Sequence, residues 1–220
     1  MRRWIILLLL APVLMATALH AGTRGLADLY YYPVKKYLGV PGQRPEPVRL
    51  NLEQAEHLIL QAGEWDSGNP DILRANARLL DRKATDRYFW QSIEVGALRK
   101  SLSLFRKAAG SRPSSPWLWS DIALMKAKLG EYDNEMQQAI ILAAKLGPWQ
   151  PLVQFRLAET GLAVWPRLSL ATRMVVMENI RRGLRRKSRY LLAKADNHNK
   201  MALLCRYLGD EPQLQAKCGH

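Results

Sequence analysis

The sequence predicts an all-α fold, an N-terminal hydrophobic helix followed by a short solenoid of stacked helix pairs. Three observations lead there. The run Trp4–Leu19 is uncharged and has no polar face. From Asn51 onward apolar residues recur at helical spacing, and no strand-like alternation persists. Finally, one set of small and aromatic positions returns at a constant offset, the mark of a repeat in which stacked neighbours bury each other's open faces. With 48% apolar residues in 220, the chain has material for a core, which excludes wholesale disorder.

The first element sets the expected location. Met1-Arg2-Arg3 is a basic start to the 16-residue run WIILLLLAPVLMATAL. Such a run is short of the ~20 residues of a membrane span and slightly long for the ~7–15 of a signal-peptide core. Ala16-Thr17-Ala18 offers a small-x-small cleavage site, whereas His20, Ala21 and Gly22 would extend the run into an anchor. Residues 1–22 therefore read as membrane anchor or signal peptide, with Arg2 and Arg3 staying inside. The expectation is a bacterial inner-membrane protein, single-pass with its N-terminus inside and its body in the periplasm; the alternative is a soluble periplasmic protein after signal cleavage.

Residues 23–48 read as a juxtamembrane stalk or an ordinary linker. Tyr30, Tyr31, Tyr32, Lys35 and Lys36 suit a headgroup region, and Pro33, Pro41, Pro45 and Pro47 should break any long helix. The remaining domain, 49–220, divides into helices near 51–62, 70–82, 88–109, 116–129, 132–146, 150–163, 169–187 and 190–208. Asn51 with Gln54 resembles a capping box. Asn69-Pro70 and Ser115-Pro116 are cap-plus-proline starts, and Gly63, Gly110, Gly130, Gly147 and Gly209 stand where helices should end. Short connections favour antiparallel neighbours.

Ser101, Phe105, Ala108 and Pro113 follow small-x3-Phe-x2-Ala-x4-Pro, and Trp119, Ile122 and Ala123 come next as Trp-x2-Ile-Ala. Gly130-Glu131-Tyr132 falls at the turn between paired helices, and Gly147 lies 34 residues after Pro113. This pattern resembles the tetratricopeptide repeat, with two departures: Lys126 where an aromatic is usual, and Glu135 where alanine is usual. Ala55, Ile59 and Ala62 precede Ser101, Phe105 and Ala108 by 46 residues, as Leu73 and Ala77 precede Trp119 and Ala123. A shared offset implies a repeat with about twelve inserted residues that lengthen the 88–109 helix. Trp119, Trp149 and Trp165 are core residues first in this reading.

A narrower likeness covers about residues 108–206. The runs Gly147–Gln154, Ala158–Ala163, Trp165-Pro166, Asn179–Arg182 and Leu203–Cys205 resemble the VpsP-type exopolysaccharide biosynthesis proteins. The resemblance implies a role in capsule or exopolysaccharide production or export, with no catalytic motif to carry over.

Charge adds a second theme. Lys and Arg outnumber acids 33 to 19, and residues 167–220 hold 12 of the cations against 4 acids. Arg181, Arg182, Arg185, Arg186, Lys187 and Arg189 place six cations in nine residues. Just before and within this run, Leu170, Met174, Met177, Ile180 and Leu184 mark a buried stripe, from which Arg182, Arg185, Arg186 and Arg189 project elsewhere. The cations form a solvated face or a contact for anionic glycan or lipid, since Arg forks bind carboxylate and phosphate bidentately. Nucleic acid is not expected, as no recognition motif is present.

Cys205 and Cys218 form a disulfide of an exported protein or remain two thiols on a helical face. With His198 and His220 their spacing matches no zinc pattern, so no metal or other cofactor is expected. Glu53-Gln54-Ala55-Glu56-His57 misses the inverted zinc-protease motif, and neither a phosphate loop nor a nucleophile elbow occurs. The expected function is a non-catalytic accessory scaffold in exopolysaccharide or capsule biosynthesis or export at the periplasmic face of the inner membrane. It would bind membrane-embedded assembly or export proteins, anionic glycan or lipid headgroups. An envelope adaptor recruiting peptide segments for secretion, pilus or cell-wall machinery is the alternative.

Overall fold

A computed structural model describes residues 2–39, 49–84 and 94–218. Among the described residues, ten α-helices and one short 3₁₀ turn account for the regular structure, and no strand occurs. The chain is all-helical, and it divides into two compact units, Met1–Leu79 and Leu80–His220. The division falls inside a helix.

The first unit holds α1 (Arg2–Leu38), α2 (Leu52–Trp65) and most of α3 (Pro70–Ala84). Ala27, Val34 and Leu38 of α1 form one core with Ala55, Ile59 and Ala62 of α2 and Ile72, Ala75 and Leu79 of α3. The offset residues Ala55, Ile59, Ala62 and Ala77 are thus all buried. Asn51 closes a capping box, its side chain accepting from Gln54 N at 2.8 Å while Gln54 accepts from Asn51 N at 3.0 Å, and Asn69 accepts from Asp71 N at 3.0 Å.

Two expectations fail in this unit. Pro33 lies within α1 without ending it. The stalk's first half is therefore a core helix, with Tyr31 and Tyr37 packed on that core. Pro41, Pro45 and Pro47 lie outside the described residues. The single-pass inner-membrane placement is not supported either: among the described residues no helix is long and apolar enough to cross a membrane. The uncharged run is several residues short of a span, and the helix that continues it spends its later turns packing against α2 and α3.

The second unit contains α4 (Val95–Ser111), α5 (Pro116–Lys128), α6 (Asn134–Leu146), α7 (Pro151–Ala163), α8 (Leu170–Asn197), α9 (Met201–Leu208) and α10 (Pro212–Cys218). From α4 to α9 each helix packs on the next; α5 also meets α7, and α6 meets α8. Ser101, Phe105, Ala108, Ile122 and Ala123 are all buried, and Ser101 Oγ lies 3.5 Å from Met125 Sδ across the α4–α5 crossing. The indole of half-buried Trp119 donates to the Pro113 carbonyl at 2.7 Å, which explains why this tryptophan follows that proline by six residues. Gly130 adopts φ 72°, open to glycine at no steric cost. The expected start of α4 at residue 88 lies outside the described residues.

Expectations shift most in α8. A break near 188 was expected, yet the helix runs to Asn197 and stops where Asn199 takes φ 53°. It is nonetheless bent. A Cβ on Gly183 would lie 2.7 Å from Leu191 Cδ1, whereas eight residues of straight helix rise about 12 Å. The returning half sets Tyr190 against Phe155, with ring centroids 4.7 Å apart, and brings Lys194 Nζ to Glu159 at 2.5 Å. Gly161 fits the α7–α8 crossing closely, since a Cβ there would meet Val176 Cγ1 at 2.6 Å.

Candidate functional site: an arginine–tryptophan surface

Gly147-Pro148-Trp149-Gln150-Pro151 turns the chain between α6 and α7. Gly147 has no room for a side chain, because a Cβ would lie 2.7 Å from Pro116 Cβ. Gln150 N donates to the Gly147 carbonyl at 3.1 Å. Buried Gln154 donates from Nε2 to the Pro148 carbonyl at 2.7 Å, and buried Asn179 donates to the Gln154 carbonyl at 2.9 Å. The backbone under Trp149 is fixed from both α7 and α8, yet the residue keeps 65% of its surface in solvent. This corrects its assignment to the core: prolines on either side put it in a turn, where the approach of a single α8 guanidinium leaves most of the residue in solvent.

Two of the sequence-selected arginines meet this indole. The Arg182 guanidinium lies 5.8 Å from the ring centroid, and Arg186 donates from Nη1 to the Trp149 carbonyl at 3.3 Å. Arg182 is steadied by Glu178, its Nε lying 2.9 Å from Oε1. The others differ in their surroundings. Arg181 reaches Glu178 at 3.4 Å, Asp210 at 3.8 Å and Glu211 at 3.0 Å. Arg185, with its side chain 68% exposed, is 3.8 Å from Glu211. Arg189 is exposed, and the side chain of Lys187 lies outside those described. The six-cation run is therefore not a uniform basic face. Glu178 one turn upstream pairs with Arg181 and Arg182, and Asp210 and Glu211 of the α9–α10 turn with Arg181 and Arg185, while Arg182 and Arg186 also approach an open aromatic ring.

The stripe preceding the run is also corrected. Met177, Ile180 and Leu184 are buried, but Leu170 is 71% and Met174 56% exposed: it is Thr172 of the same turns that faces α6, fully buried with its hydroxyl 2.9 Å from Gln137 Oε1. Cys205 and Cys218 are joined in a disulfide that holds α10 to α9, and buried Glu211 presents its carboxylate to Arg181 from the turn so closed.

A second charged constellation lies between α5 and α6. Lys126 is 1% exposed, and its Nζ meets Glu131 at 3.2 Å, Asp133 at 2.8 Å and Glu135 at 2.8 Å. Burial works against its charge, but these three hydrogen-bonded carboxylates outweigh it and raise its pKa. Arg106 takes Glu135 with two nitrogens, at 2.7 and 2.5 Å. The hydrogen bond from Arg106 chiefly, helped by Lys126 against the opposing effect of burial, lowers the Glu135 pKa to about 2. Every acid here is spoken for by a cation, so the cluster clamps the α5–α6 turn and offers no group poised for proton transfer. Near the returning half of α8, burial pulls His198 below its ordinary pKa. Among the described residues no group of three or more His, Cys, Asp or Glu is placed to hold a metal ion.

Comparison with known proteins finds no family model, no curated protein and no solved structure that matches this chain.

Proposed function

We propose that the chain is a non-catalytic accessory scaffold in exopolysaccharide or capsule assembly or export, holding assembly proteins or an anionic glycan on a tetratricopeptide-like helical repeat. The observation that carries this reading is the rigidly seated, solvent-open indole of Trp149 with Arg182 and Arg186 beside it. Exposed aromatic and arginine side chains are the residues that interfaces draw on most. The repeat is supported by the burial of the small and apolar motif positions and by packing between both first and second neighbours from α5 to α8. The motif's two departures, Lys126 and Glu135, are ion-paired to each other at 2.8 Å.

A second reading is an adaptor for peptide segments, favoured by exposed Leu170 and Met174 at the start of α8. Crosslinking in cells that make the protein, followed by mass spectrometry, separates the two. Recovery of glycan polymerase or export proteins supports the scaffold; recovery of secretion or pilus components alone displaces it.

A further inference from the structure

Among the described residues, Trp149 combines 65% exposure with two arginine neighbours and a backbone hydrogen-bonded from α8. Arg182 lies over the ring, so the exposure comes from the indole's remaining face and edge. An open indole face carries the negative lobe of the ring quadrupole. It suits the slightly positive axial C–H bonds of a pyranose ring, a flat ligand of matching size. Arg186 holds the Trp149 carbonyl with one nitrogen only, which leaves other guanidinium N–H groups to pair with an anion bidentately. Exposed Arg185, one position along, adds field of the same sign. The acids nearby, Glu178 and Glu211, are engaged with Arg182, Arg181 and Arg185.

From this juxtaposition we propose that Trp149, Arg182 and Arg186 form a subsite for a uronic-acid residue of an acidic polysaccharide, the sugar ring stacked on the indole and its carboxylate held by Arg186. The proposal rests on the polysaccharide reading and specifies its ligand chemistry. A carboxylated sugar satisfies both halves of the subsite at once; a neutral sugar leaves the guanidinium without an anion, and an acidic peptide leaves the indole uncovered. The disulfide belongs to an oxidising environment, in which nucleic acid is not the prevailing polyanion.

Calorimetric titration of the full chain with a galacturonic-acid hexamer, a neutral glucose hexamer and a glutamate hexapeptide tests this. The uronate hexamer should bind, with affinity falling as salt rises from 50 to 200 mM, over which the Debye length shortens about twofold. Trp149→Ala should weaken it at least about tenfold and Trp149→Tyr much less, in keeping with one lost stacking surface. Arg186→Gln should weaken binding and flatten the salt dependence. Circular dichroism will show the variants folded, because both side chains lie at the surface. Uronate binding that is absent or indifferent to Trp149→Ala, or equal binding of the neutral sugar or the peptide, overturns the subsite. If uronate binding is absent while crosslinking still recovers glycan-assembly proteins, only the subsite falls; if both are absent, the scaffold reading falls too.

Discussion

Replacing Lys126 with methionine removes the buried ammonium while keeping most of the stem's volume, so the response isolates charge from packing. The side chain is 2% exposed and faces three carboxylates within 3.2 Å. Truncating one partner of a fully buried pair costs about 3–5 kcal/mol, because the other charge is stranded. Here the stranded carboxylates reach water, with Glu131 27%, Asp133 55% and Glu135 38% exposed, and Arg106 still holds Glu135. We therefore expect a smaller loss, about 2–3 kcal/mol, or a fall of roughly 8 °C in Tm for a unit of this size. Urea unfolding followed in parallel by far-UV circular dichroism and tryptophan fluorescence measures it, coincidence of the two probes licensing two-state treatment. Adding Glu135→Ala should cost less in the Lys126→Met background than in the native chain, since contacting residues couple. A Lys126→Met protein as stable as the native chain would refute the reasoning: the ammonium's desolvation would then match all that its pairs return.

Glu135 gives the pH dependence. Its pKa is depressed from 4.5 to about 2, so its contribution is whole above about pH 4.5 and lost as pH falls toward 2. Full conversion of that shift gives about 3 kcal/mol; with its side chain 38% exposed, solvent screening reduces this to about 1–2 kcal/mol. Glu135→Gln should flatten stability across that window in acid titrations of urea midpoints. Gly161→Ala drives a methyl into Val176, whose β-branched side chain has little rotamer freedom in a helix; a loss of about 1–3 kcal/mol in urea unfolding is expected. Replacing Cys205 and Cys218 with serine opens a loop of 13 residues' separation and should cost about 3 kcal/mol, read as a lower opening free energy of the α9 and α10 amides by hydrogen exchange.

Several features of this chain follow from local chemistry and were legible without coordinates. Asn51 and Gln54 cap a helix because their side chains reach backbone groups three residues away. Ser101, Phe105 and Ala108 are buried because a 3.6-residue period places them on one face of α4. Residue spacing decides both. Tertiary structure decided what depends on partners distant in sequence. Two departures from a repeat pattern, Lys126 and Glu135, are halves of one ion pair, visible only once α5 and α6 are side by side. Likewise, no periodicity says that Glu211 silences Arg181, that α8 bends back onto Gly183, or that Trp149 is left uncovered beside Arg182 and Arg186. Exposure and charge pairing are properties of what lies across from a residue, and the chain's own order does not state them.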